Sequence, residues 1–164
     1  MKVVKQTYYT LILLLLSSVV FSQATNAVVI IDAGHGYNTN CTNGDGRTET
    51  EINTAFEVAE KLENKINNTC GYTALMTRTS NSCGSQLSLV QRVTMANSWG
   101  GDAFLSVHCN ALNAFATGTE TFWCDFAAQP DAEDQMYASM IQIEMASQGG
   151  WNNRRVVEDH SYLN

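Results

Sequence analysis

The chain has 164 residues, 45% hydrophobic and 15% charged, with one proline, a make-up that fits one globular domain and excludes a disordered or fibrous protein. Its formal charge is −7 and it carries no Lys/Arg cluster that could neutralise phosphates. Nucleic acid and anionic membrane are therefore excluded as expected partners.

The first segment reads as an export signal. Lys2 and Lys5 precede LILLLLSSVVF (residues 11–21), an apolar run too short to span a bilayer as a helix, and small Ser22 follows it. Cleavage is expected near Ser22–Gln23, leaving a secreted or periplasmic domain of residues 23–164. Loss of Lys2 and Lys5 takes the formal charge from −7 to −9.

Ala27 to Ile31 is a continuous β-branched run, as expected of a strand covered on both faces. It ends in IIDAGHG (residues 30–36), which holds His35 between two glycines. Residues 36–47, rich in glycine and asparagine, form a loop. Ile52, Ala55, Phe56, Ala59, Leu62 and Ile66 then recur at helical spacing, which predicts a helix from Glu49 to Asn67.

Tyr72 to Arg78 reads as a second strand, Leu87 to Asn97 as a second helix, Asp102 to His108 as a third strand and Gly118 to Cys124 as a fourth. Asp131 is expected to cap a third helix whose Met136, Met140 and Ile143 make an apolar core stripe. Strands alternating with helices predict an α/β fold with a largely parallel sheet and helices on both faces. In such sheets the site lies beyond the carboxyl ends of the strands, the edge to which both His35 and His108 belong.

Two histidines at one edge suit a catalytic zinc site, which commonly adds a carboxylate and leaves a position open for water. RTETEIN (residues 47–53) supplies Glu49 and Glu51. Thr48 followed by Glu51 matches a capping box, which would occupy Glu51 at the helix start and leave Glu49 as the ligand. Glu51 is the alternative.

Other chemistries fit less well. Ser106 has no GxSxG elbow around it and reads as a strand residue. Cys109 would point away from the His108 face for as long as the strand continues. His160, in the polar end segment, is expected to be solvated. Five cysteines, Cys41, Cys70, Cys83, Cys109 and Cys124, in an exported chain suggest disulfides rather than a redox or zinc-ribbon pair. Cys70 and Cys83 bracket the second strand and could staple it.

Taken in order, IDAGHG, RTETEIN, Thr77-Arg78, QRVTMAN (91–97), FLSVHCNA (104–111) and GTETF (118–122) resemble the zinc-dependent N-acetylmuramoyl-L-alanine amidases of bacterial cell-wall turnover. The resemblance implies Zn2+ as cofactor, with His35, Glu49 and His108 as ligands. Glu49 stands four residues before Asn53, as in the family pattern. It implies that Arg92, Asn97 and Asn110 lie around the site, with Arg92 and Asn110 toward substrate. The implied substrate is peptidoglycan, at the amide joining N-acetylmuramic acid to L-alanine.

The resemblance also implies a second glutamate as general acid and base. It matches none of Glu120, Glu144 and Glu158 and is expected beyond Asn164, so the chain is expected to be C-terminally incomplete. The alternative to an amidase is a secreted module that binds zinc and muropeptides without cleaving them.

Overall fold

The computed structural model describes residues 26–44, 47–109, 117–124 and 132–159. The expected export segment, Asn110, Asp131 and His160 lie outside these residues. The chain divides into two units, Met1–Cys109 and Asn110–Asn164, where composition suggested one domain.

In the first unit, β1 (Ala27–Ala33), α1 (Glu49–Asn67), β2 (Tyr72–Met76), α2 (Leu89–Ser98) and β3 (Ala103–Val107) build a three-stranded parallel sheet in the order β2-β1-β3. β1 is central, which explains its unbroken apolar run: Ile30 and Ile31 are both fully buried although they face opposite ways. Val29, Ile31 and Ala33 meet α1, whose Phe56 and Ala59 complete a core with Ala74 and Met76 of β2. The expected helical spacing is the observed one, since Ile52, Ala55, Phe56 and Ala59 are the buried apolar residues of α1.

Asp32, between two apolar neighbours, projects to the other face, where Arg92 of α2 meets it. The termini of α1 and α2 are set locally. Thr48 Oγ1 accepts from the Glu51 N–H, and Ser88 and Gln91 form a complete capping box.

The second unit contains β4 (Thr119–Trp123), α3 (Ala132–Gly149) and β5 (Asn153–Glu158), with β4 and β5 parallel. β5 is a strand where the sequence reading assigned no element. The core stripe expected on α3 is corrected. Met136, Met140 and Ile143 are each more than half exposed, and the buried residues of α3 are Ala138 and Gln142. Gln142 is turned inward by its amide, which donates to Thr119 O and Asn153 Oδ1 and accepts from Thr121 Oγ1. A buried amide of this kind is expected to be fully hydrogen-bonded, as Gln142 is here.

No helix among the described residues is long and apolar enough to cross a membrane.

Candidate metal centre

The parallel register decides where the histidines fall. Ala33 pairs with Val107, and the Gly34 N–H donates to Val107 O at 2.9 Å, so His35 and His108 leave the sheet side by side at its carboxyl edge. Their rings meet edge to face with centroids 4.6 Å apart. His35 is 7% exposed and has φ of 60°, a left-handed conformation that costs a non-glycine residue roughly 1–3 kcal/mol.

Glu51, not Glu49, joins them. His35 Nε2 lies 3.1 Å from Glu51 Oε1 and 3.1 Å from His108 Nδ1. Glu51 is 8% exposed, while Glu49 is exposed at the first position of α1. The capping argument is thus half right. The Glu51 backbone N–H takes the cap from Thr48 at 3.2 Å, but its carboxylate turns inward to His35 instead of folding back, so the box is not closed and does not occupy Glu51.

The donor set is two imidazole nitrogens and a carboxylate oxygen, the chemistry of a catalytic zinc site. Donor atoms about 2.0 Å from a tetrahedral ion stand roughly 3.3 Å apart, close to the two contacts found here. The donors are closed onto His35 Nε2 by these contacts, and no preformed metal cage stands open among the described residues. Burial, and then His35, push the His108 imidazole below its ordinary value, favouring the neutral ring a metal needs.

β3 ends at Val107, so Cys109 is released from strand alternation, and its thiol lies 4.0 Å from Glu51 O. Burial and then the charge of Glu51 push that thiol up, which disfavours the thiolate a cysteine nucleophile requires. Ser106 is a strand residue as expected. Its hydroxyl donates to Asp32 Oδ2 at 2.7 Å.

Arg92 is turned into the protein. It is 5% exposed, and its guanidinium is taken up by Asp32 Oδ1, Ala33 O, His35 O and Leu87 O, so the expectation of substrate contact is corrected to an internal role. Asn97 is exposed on α2.

A second buried guanidinium, Arg78, was legible only as part of a family motif. It donates to Ala33 O, Gly34 O and Ile52 O and lies over the Phe56 ring. Burial, and then the neighbouring Arg92, lower its pKa to about 10. Asp32 could have been suspected from sequence, because a charge inside a central strand needs partners. It accepts from Thr77 Oγ1, Ser106 Oγ and Arg92 Nη1.

The loops flanking His35 are fastened together. Cys41 pairs with Cys83, not Cys70 with Cys83, and Cys70 is an exposed thiol. Around the disulfide, Tyr37 O accepts from the Gln86 N–H and Asn38 O from the Gly84 N–H, each at 2.9 Å. Asn53 of α1 accepts from both Tyr37 Oη and Asn81 Nδ2.

A family model described as N-acetylmuramoyl-L-alanine amidase matches residues 29–163. The chain belongs to this family. LytC, an N-acetylmuramoyl-L-alanine amidase of Bacillus subtilis (strain 168), is 32% identical over 145 residues, which are 85% of this chain and 28% of that protein. CwlM, an amidase of the same name from Bacillus licheniformis, is 38% identical over 119 residues, 70% of this chain and 44% of that protein. The chain thus spans less than half the length of either relative.

Among amidase structures, that of the N-acetylmuramoyl-L-alanine amidase from Clostridium difficile 630 matches with a TM-score of 0.66 at 25% identity, over 82% of this chain and 70% of that one. The catalytic domain of CwlV from Bacillus (Paenibacillus) polymyxa var. colistinus matches with a TM-score of 0.64 at 24% identity, over 84% and 72%, which speaks to the fold alone. The α/β architecture with parallel sheets is that of the amidases.

Proposed function

We propose that this chain is the metal-binding catalytic part of a zinc-dependent amidase that cleaves the bond between N-acetylmuramic acid and L-alanine in peptidoglycan. The observation that carries the reading is the convergence of His35 Nε2, Glu51 Oε1 and His108 Nδ1 at one sheet edge in a chain of the amidase family. We assign Glu51 as the third ligand in place of Glu49, because only Glu51 brings its carboxylate to the histidines. Bound there, zinc would polarise the scissile carbonyl and acidify water, which makes a serine or cysteine nucleophile unnecessary.

The chain's own residues supply the rest of the geometry. Gly34 lets the two histidine-bearing segments approach, and the Glu51 contact at His35 Nε2 keeps both donors at the edge where zinc would take its place. Expulsion of the amine also needs a proton, a contribution typically worth about 10²–10⁴ in rate. Glu120 is a poor source: its side chain is 4% exposed and its Oε2 lies 2.9 Å from Arg155 Nε and 3.5 Å from Arg154 Nη2. We assign no proton donor among the described residues.

The substrate reading places the protein outside the cytoplasm, consistent with the export segment and with a Cys41–Cys83 disulfide, which persists in oxidising compartments. The test is incubation of zinc-loaded protein with purified peptidoglycan and mass spectrometry of the soluble products. Stem peptides with a new N-terminal L-alanine, absent when zinc is chelated, are expected. Cleavage at a sugar linkage or within the stem would contradict the reading. Zinc-dependent retention of muropeptides with no product would support the binding module instead.

A further inference from the structure

His35 holds its ring in place from a backbone conformation that L-residues avoid, with φ of 60°. Three consecutive carbonyls around it, those of Ala33, Gly34 and His35, all accept hydrogen bonds from buried guanidinium groups. Ala33 O accepts from Arg78 Nε at 3.3 Å and Arg92 Nη1 at 2.9 Å, Gly34 O from Arg78 Nη2 at 3.1 Å, and His35 O from Arg92 Nη2 at 2.7 Å.

Each arginine is itself anchored. Arg92 is held by Asp32, and Arg78 by Asn81 Oδ1 at 2.6 Å and by the Phe56 ring. Both arginines are at most 5% exposed, and among the described residues Asp32 is the one carboxylate in ion-pair contact with either. Burying two cations against one anion is an expensive way to add stability, since desolvation is only partly offset. It is an effective way to fix a backbone, because each planar fork satisfies two or more carbonyls at defined angles.

We propose that Arg78 and Arg92 are positioning residues for the metal centre: together they clamp the Ala33–His35 carbonyls and so hold His35 in the left-handed conformation that presents Nε2 to Glu51 and His108. The proposal rests on the reading of these three residues as metal ligands. It extends that reading from the ligands to the groups behind them, and loss of such supporting contacts typically lowers metal affinity about 10–100-fold.

Lysine separates the clamp from charge. At either position it keeps the positive charge but presents its donors from a single nitrogen, without the planar fork whose separate nitrogens reach carbonyls on different residues. Zinc affinity is measured by competition with a chromophoric chelator on the wild-type chain, Arg78→Lys, Arg92→Lys and Ile66→Ala, with far-UV circular dichroism of each zinc-free protein. Ile66 packs against the core on the α1 side, so Ile66→Ala lowers stability without touching the clamp.

The expected result is about a 10–100-fold loss of affinity in both lysine variants, with the zinc-free fold retained, and an unchanged affinity in Ile66→Ala. Wild-type affinity in the lysine variants, or an equal loss in Ile66→Ala, overturns the proposal. If a lysine variant does not fold, Asn81→Ala carries the test, because it removes the side-chain hydrogen bond that anchors Arg78 while keeping both guanidiniums. A several-fold loss supports the clamp and no loss overturns it. A wild-type chain that binds no zinc defeats the metal reading itself, and the clamp with it.

Discussion

A Cβ placed on Gly34 would stand 2.7 Å from both Cε1 and Nδ1 of His108 and 2.8 Å from Val107 O. Glycine at this position is therefore what permits the first histidine segment to lie against the second. Gly34→Ala is expected to push the His108 ring away from His35 and lower zinc affinity at least about tenfold, the lower end of what disturbing the surroundings of a metal ligand costs, although no donor is removed. Chelator competition checks this, and an unchanged affinity would mean that His108 can shift without consequence.

Asp32 is the polar pivot of β1. It is 2% exposed and accepts from Thr77, Ser106 and Arg92 at once. Asp32→Ala leaves the Arg92 guanidinium buried without its counter-charge and is expected to cost about 3–5 kcal/mol in unfolding free energy. Urea unfolding of the zinc-free protein measures it. A loss below about 1 kcal/mol, the range of an exposed ion pair, would show that Arg92 is not buried in solution.

The Cys41–Cys83 bridge closes a segment with a sequence separation of 42 and so restricts the unfolded chain substantially. The chain-entropy model gives about 4 kcal/mol for a loop of this length. The double variant Cys41→Ser/Cys83→Ser is expected to lose about 2–4 kcal/mol in chemical unfolding, and added reductant should destabilise the wild type but not the variant. Equal stability of the two under oxidising conditions would show that the bridge does not form.

Much of this architecture could be read from local pattern. The α1 helix runs from Glu49 to Asn67, as its apolar spacing predicts, because that spacing and the Thr48 cap are both local properties. The two histidines fall at one edge because parallel strands that lead into His35 and His108 leave them little choice. What local pattern could not decide was competition between local and distant partners. Glu51 had a plausible partner three residues away in Thr48, yet its carboxylate is drawn to His35, sixteen residues distant.

The same limit explains the other misses. Cys83 lies near Cys41 only because the loops after β1 and β2 are brought together by hydrogen bonds such as Gly84 N–H to Asn38 O. On α3 the apolar stripe was visible, but which face would be covered depends on Gln142 finding Thr119 and Asn153. β5 escaped notice because Arg154 and Arg155 mask the short Val156-Val157 pair that lies beside Thr121 and Phe122.

The most direct test of the account is the zinc content of four purified variants, His35→Ala, Glu49→Ala, Glu51→Ala and His108→Ala, by atomic emission spectroscopy after equilibration with limiting zinc, with circular dichroism confirming that each is folded. The wild-type chain and Glu49→Ala are expected to hold one zinc per chain, and the other three to hold almost none. Retention of zinc by Glu51→Ala together with its loss from Glu49→Ala would contradict the assignment of Glu51 and return the ligand to the exposed start of the helix.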